Sequence, residues 1–367
     1  MTSVAVIGAG IAGLSTAWAL TKRNIPVTLY EQAATIPNPL SASGDEHRII
    51  RRAYGHQSGY AKRIDEAYAA WESMFEDIGA SHLISNGFLI ISREPGDEAE
   101  QYRDGLLAGG YPLNLMNADE AAARYAFLQE GTFRYAGFGP EGGALMCQRI
   151  ATDLLAWLEK HGVEIQTGCQ VTGLDADTGS VCVDGKPRVI HQQIIVTAGA
   201  WVLKLMPELA QSLTTYRTAV CYLTPPDDLK TAWHDAPVIL DVGGQSDGYA
   251  IPPLFGSGLK LGSGRHKVAS PPDADREPGA SEHHAIMRWF APPLARLEEY
   301  HHEKTVTCAY TFTSDERFYA ANTGKITTIS ACSGHGYKFG AAIGERIAQA
   351  VITSNTAQLK QWLAARD

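Results

Sequence analysis

A turn spaced by glycines is the first place along this chain where residue types could do chemistry. Gly8-Ala9-Gly10-Ile11-Ala12-Gly13 follows the apolar run Val4–Ile7 and opens a further apolar stretch, residues 11–23. In such a strand–turn–helix the first glycine permits the tight turn. The second lets a pyrophosphate approach the backbone, and the third lets helix and strand pack closely. The helix N-terminus adds free N–H groups and a partial positive charge. Glu31 ends the next apolar run, Val27–Tyr30, where an acid is expected to bond a ribose hydroxyl, and Gln32 stands beside it. Gly8, Gly10, Ile11, Ala12, Gly13, Glu31 and Gln32 therefore read as a site for the ADP half of a dinucleotide. An acid at position 31 disfavours NADP and leaves NAD and FAD open.

The elements that must position this site are coarsely readable. Strands are expected at Val4–Ile7, Val27–Tyr30, Phe88–Ser92 and Ile326–Ser330, with shorter β-branched runs at 163–167 and 194–197. Residues 60–78 place Ile64, Ala67, Tyr68, Trp71, Met74, Phe75 and Ile78 at three- and four-residue spacing, which predicts an amphipathic helix capped by Gly79. Further helices are expected at 146–161 and from about residue 341. Between 216 and 262 the pattern turns to strands broken by Pro and Gly: 217–223, 238–242, 249–251 and 259–261. The stretch from Ser92 to about Pro140 is mixed. Nucleotide-type α/β signals thus occur at the start, middle and end, with β-rich material between.

Bulk properties narrow the function. At 45% apolar and 19% charged the chain is an ordinary globular protein, and 367 residues suit two domains sharing a large interface. A net charge of −9 argues against nucleic acid and anionic membrane as partners. No apolar run reaches the roughly 18–20 residues of a membrane span. The six cysteines are scattered, without metal-ligand or disulfide spacing, and read as reduced thiols in a cytoplasmic protein with no metal.

Four separated stretches are more specific: Gly44-Asp45-Glu46-His47-Arg48-Ile49-Ile50-Arg51-Arg52-Ala53-Tyr54-Gly55, Gly258-Leu259-Lys260-Leu261-Gly262, Cys308-Ala309-Tyr310-Thr311-Phe312-Thr313-Ser314-Asp315-Glu316, and Ser333-Gly334-His335-Gly336-Tyr337-Lys338-Phe339. In order and rough spacing they resemble the monomeric sarcosine oxidase family, within the D-amino-acid-oxidase-like flavoproteins. The resemblance covers nearly the whole chain and chooses FAD. It implies an α/β protein: a Rossmann-like FAD-binding domain with a central parallel sheet, and a substrate domain with a large mixed or antiparallel sheet. The segments expected for the first are 1–80, 141–215 and 306–367, and for the second 81–140 and 216–305.

The resemblance also implies roles. Cys308 matches the cysteine that forms a thioether to the flavin 8α-methyl, and basic surroundings would favour its thiolate. Arg51 and Lys338 match the pair that clamps a substrate carboxylate, a task for which the guanidinium fork is suited. Arg48 is expected near the flavin. Lys260 matches the lysine placed by water near flavin N5, where a cation would assist oxygen reduction. Tyr249 and Tyr310 match tyrosines lining the substrate cavity. Val171, Ala198, Gly199, Trp201, Gly334, His335, Gly336 and Tyr337 are expected against the cofactor, with His335 not a catalytic base.

The implied reaction is oxidation of the C–N bond of a secondary amino acid (N-methyl, N-substituted or cyclic) to an imine, with oxygen reduced to hydrogen peroxide. The expected enzyme is a monomer or small homo-oligomer. Competing readings are a dehydrogenase passing electrons to a quinone or protein, an aromatic hydroxylase, and a non-catalytic FAD-binding protein. Two departures fall on the substrate side. Gly264 stands where the family usually has a histidine, with His266 two residues on as a possible replacement, and His47 stands where a threonine is common. They place sarcosine itself in doubt as the substrate. Ser314 replaces a usual proline.

Overall fold

Val4–Ile7 is apolar at every position because it is buried on both faces, as central strands of parallel sheets must be. In this computed structural model, which describes residues 3–55, 58–330 and 332–366, it lies inside a six-stranded sheet. The order is Tyr319–Thr323, Ile326–Ser330, Gln193–Val196, Val4–Ile7, Val27–Tyr30, Glu164–Gln166. Neighbours are parallel except for the outer hairpin of 319–323 with 326–330. Helix Ile11–Thr21 packs against helix Gly340–Thr353 over one large core. Gly344 permits their close crossing, since a β-carbon there would overlap the Ser15 carbonyl.

An eight-stranded sheet makes the second layer system: His301–Phe312, Thr214–Thr224, Leu259–Ala269, Gly248–Ile251, Val238–Asp241, Phe88–Ser92, Tyr135–Gly139, Asn114–Asn117. It is antiparallel apart from the pairing of Val238–Asp241 with Phe88–Ser92. Its own core gathers Trp233, Phe127, Phe290 and Leu261. The fold is thus the expected mixed α/β one, with a parallel and a mixed sheet. Strands Thr214–Thr224 and His301–Phe312 run unbroken through 215/216 and 305/306, where the segments drawn from the sequence meet. No described helix is long and apolar enough to cross a membrane.

Several elements differ from their sequence-based expectation for physical reasons. The helix expected over 60–78 spans Ile64–Ile78, with Gly79 capping it at φ 76°. Tyr60 is held outside it because its hydroxyl donates to the Leu363 carbonyl at 2.8 Å and accepts from the Phe318 N–H at 2.8 Å. The strand expected at 259–261 continues to Ala269, since Gly248–Ile251 pairs it as far as Ser263 and Thr214–Thr224 pairs it again from Lys267. The mixed stretch holds helix Glu98–Ala108, which Asp97 caps by accepting from the Glu100 N–H at 3.3 Å. Strand His47–Arg51, also unforeseen, pairs with Gly142–Met146.

Candidate functional site

The glycine turn has the geometry its spacing requires. Gly8 sits at φ 101°, a conformation that penalises a side chain. A β-carbon at Gly13 would overlap the Gly8 carbonyl, so this glycine serves helix–strand contact and does not line the cavity. Gly10 precedes the helix and faces only Ser43, whose hydroxyl accepts from the Ile11 N–H at 3.0 Å. Glu31 is buried, and its carboxylate accepts from the Ala9 N–H at 2.8 Å and the Ala33 N–H at 2.9 Å. A carboxylate has about four lone-pair positions, so acceptor capacity remains for a ribose.

Gly8, Gly10, Ile11, Ala12, Glu31 and Gln32 line one end of a cavity of about 1030 Å³. Val171, Ala198, Gly199 and Trp201 line it as well. Arg48, Arg51, Tyr249 and Tyr310 line the rest with Gly334, His335, Gly336, Tyr337 and Lys338. This volume is at the upper end of ligand pockets. A glycine cradle at one end and buried cations at the other fit an extended dinucleotide with room for a small anion.

Arg51 lies between two tyrosines, its guanidinium carbon 4.8 Å from the Tyr54 ring centre and 4.6 Å from that of Tyr102. One terminal nitrogen, Nη2, donates to the Tyr102 hydroxyl at 3.1 Å, and that hydroxyl donates to Glu98 at 2.5 Å. The other, Nη1, is buried with no partner among the described residues. Lys338 is buried and donates to the His335 carbonyl at 3.0 Å. Burial, and then the charge of Arg51, push its ammonium well below the usual lysine value. Two cations forced together at a cavity wall define a site for an anion.

Lys260 is placed otherwise than expected. It is fully buried and is not among the residues lining the cavity. Its ammonium meets Asp45 at 2.5 Å and donates to the His47 carbonyl at 3.0 Å. Tyr222 donates to the other Asp45 oxygen at 2.6 Å. Burial works to raise the Asp45 carboxyl, yet Lys260 and Arg48 hold it well below the carboxylate range. Arg48 donates to Asp45 at 2.9 Å, to the His47 and Ala42 carbonyls, and toward the Cys308 sulfur at 3.8 Å. Cys308 itself is buried, and burial raises its thiol more than Arg48 lowers it. The basic surroundings of Cys308 therefore do not by themselves favour its thiolate.

The histidines separate cleanly. His335 is clamped among Tyr60, Phe318 and Phe339, with Nδ1 3.3 Å from the Tyr54 hydroxyl, which suits a structural turn. His47 is fully buried against Ser257 at 3.1 Å, and burial with the Lys260 charge lowers it to about 3. His266 does not fill the place of the missing histidine. It pairs with Glu282 at 2.9 Å and does not line the cavity. That place is held by Asp247, whose carboxylate stands where a β-carbon at Gly264 would be. Crowding by the cavity walls, and then Glu98, push the Asp247 carboxyl upward, although the residue itself is exposed to the cavity.

Tyr54, Tyr102, Glu98 and Asp247 all line the cavity, and none was expected from the sequence. Glu98 and Tyr102 are one helical turn apart, a spacing that could have flagged them. Asp247-Gly248 reads as an ordinary turn, so nothing local marks it. Among the described residues no group of His, Cys, Asp and Glu could hold a metal ion.

A glycine cradle on a parallel sheet, continuous with a cationic pocket under a mixed sheet, defines a dinucleotide-dependent enzyme of the flavoprotein type. The chain belongs to the FAD dependent oxidoreductase (DAO) family, whose pattern matches residues 3–350. It is 25% identical over 365 residues to monomeric sarcosine oxidase of Bacillus sp. (strain NS-129), covering 96% of this chain and 93% of that one. It is 22% identical to N-methyl-L-tryptophan oxidase of Yersinia pestis (strain Pestoides F), covering 93% and 92%. In fold it is similar to L-proline dehydrogenase from P. horikoshii, with a TM-score of 0.83 at 18% identity over 99% and 96% of the two chains.

Proposed function

We propose that this protein is an FAD-dependent oxidase of amino-acid-like secondary amines, making an imine and hydrogen peroxide. The observation that carries the reading is the free, buried Nη1 of Arg51 beside the buried ammonium of Lys338. An unpaired buried donor is costly, by about 1–3 kcal/mol, and a substrate carboxylate would relieve it. The family supplies FAD, and the oxidase relatives named above support an amine as substrate.

In this reading Gly8, Gly10, Ile11, Ala12 and Glu31 hold the ADP half, and the turn from Gly334 to Lys338 faces the flavin ring. FAD, when bound, accepts the two electrons that leave the amine's C–H bond. Arg51 and Lys338 fix the carboxylate and so the position of that bond. Tyr249 and Tyr310 wall the cavity, and burial raises both phenols, keeping them neutral. The imine hydrolyses in water. Lys260, Asp45 and Arg48 together keep one positive charge beneath the site, which would favour electron transfer to oxygen. Cys308 stands near Arg48 and would form the thioether.

A dehydrogenase is the second reading, favoured by the sealing of Lys260 against Asp45. Peroxide decides between them. Holoenzyme supplied with secondary and primary amino acids in air is expected to release one peroxide per amine oxidised. Amine turnover that requires an added quinone, with no peroxide, would establish the dehydrogenase. Flavin retained by acid-precipitated protein, and released from Cys308→Ala, is expected if the thioether forms.

A further inference from the structure

The substrate cavity carries acids beside the carboxylate clamp, and the position of one of them depends on the glycine at 264. Asp247 ends the turn before strand Gly248–Ile251, at φ 42°, and its carbonyl accepts from the Gly264 N–H at 2.9 Å. That bond brings the carboxylate over Gly264, into space that any side chain at 264 would take. The carboxylate makes no hydrogen bond among the described residues, although it is open to the cavity. Glu98 lines the same cavity, held by the Tyr102 hydroxyl. Behind them Asp241 is buried with one oxygen unpartnered, and both acids add to its burial in raising it.

We infer that Asp247, with Glu98, reads a second positive charge on the substrate, so that the preferred amine is an amino-acid-like compound carrying a basic nitrogen on its side chain. The inference rests on the amine-oxidase reading above and names the substrate class within it. Other charged groups face Asp247. Arg265 and Lys267, on strand Leu259–Ala269, lower its carboxyl, while Glu98 and Glu316 raise it. Lys267 is engaged with Glu316 at 3.4 Å and lies 4.3 Å from the centre of the Phe312 ring. Lys267 is thus already paired, and the Asp247 carboxylate stands exposed to the cavity without a hydrogen-bond partner among the described residues, open to an incoming cation. Asp247 is also close enough to perturb Arg51, Tyr102 and Tyr249, so a ligand held by Arg51 brings its side chain within reach.

Two pairs of compounds test this with the holoenzyme. The first is N-methyl-lysine, methylated on its α-nitrogen, against N-methyl-2-aminoheptanoate, in which a methyl replaces the terminal ammonium. The second is 6-aminohexanoate against heptanoate, which lack an α-amine and report binding alone by calorimetry. The lysine compound is expected to be favoured at least about tenfold in kcat/KM, and 6-aminohexanoate to bind correspondingly tighter. In Asp247→Asn both preferences are expected to fall toward unity, and Gly264→Ala, which displaces the carboxylate by another route, should do the same. Equal use of the two amines by the wild type overturns the inference, as does a preference that survives both variants. If no amine is oxidised, but 6-aminohexanoate is still preferred and Asp247→Asn abolishes that preference, the amine-oxidase reading fails and the cation site stands.

Discussion

The carboxylate of Asp247 occupies the position a β-carbon of residue 264 would take, so any side chain at 264 would oblige that carboxylate to turn aside. Gly264→Ala should cost about 1 kcal/mol or less, since the obstructing atoms are the end of an exposed side chain. Asp247→Gly tolerates its left-handed backbone and removes the obstruction. The double variant should then be more stable than the sum of the single effects by about 0.5 kcal/mol. Strict additivity in urea unfolding would show that the two positions do not meet.

Arg51 acts through Nη1, a buried donor without a partner among the described residues. Arg51→Lys keeps the charge and loses the fork. Carboxylate ligands should bind about 10- to 100-fold more weakly, with flavin content unchanged. An unaltered dissociation constant would remove Arg51 from the clamp.

Lys260 and Asp45 form a buried pair, and removing one partner of such a pair costs about 3–5 kcal/mol. Lys260→Met should be destabilised accordingly, and Asp45→Asn in the same chain should return part of the loss. If the lysine serves oxygen, both variants reoxidise slowly while their flavin is reduced by amine at near the wild-type rate. Equal slowing of both half-reactions would assign Lys260 to structure alone.

Asp241 gives the protein a pH dependence of definite sign. Burial, then Glu98 and Asp247, raise its carboxyl to about 8. The folded state thus holds a proton that the unfolded chain releases near pH 4. The stability tied to that proton is present in full below pH 4 and is lost as pH rises toward 8. Asp241→Asn should therefore gain on the wild type between pH 5 and pH 9, by about 2 kcal/mol or more in urea unfolding. An equal difference at both pH values would contradict the raised carboxyl.

What could be read in advance follows from how local each signal is. The glycine turn and Glu31 were legible because one strand–turn–helix contains them, and its apolar strand has no other use. Arg51 and Lys338 were legible only through resemblance, since nothing within a run of three arginines says which one turns inward. Lys260 was matched in sequence, but its pairing with Asp45 joins residues 215 apart and had no local trace. Asp247 was invisible for the same reason. Its meaning depends on Gly264, which forms no Cα pair with it in the sheet register but bonds its backbone across a turn. Strand Leu259–Ala269 was cut short at its glycines because its extension rests on pairing with Thr214–Thr224 and Gly248–Ile251, which leaves no local trace.

The central claim is that a carboxylate-bearing secondary amine gives its electrons to FAD in this cavity. Its most direct test is the flavin absorbance of the holoenzyme mixed without oxygen with a panel of N-methyl and cyclic amino acids. At least one of them is expected to bleach the flavin fully, with colour returning in air alongside one hydrogen peroxide per flavin, and Arg51→Met should bleach far more slowly. A flavin that stays oxidised with every such amine would contradict the claim.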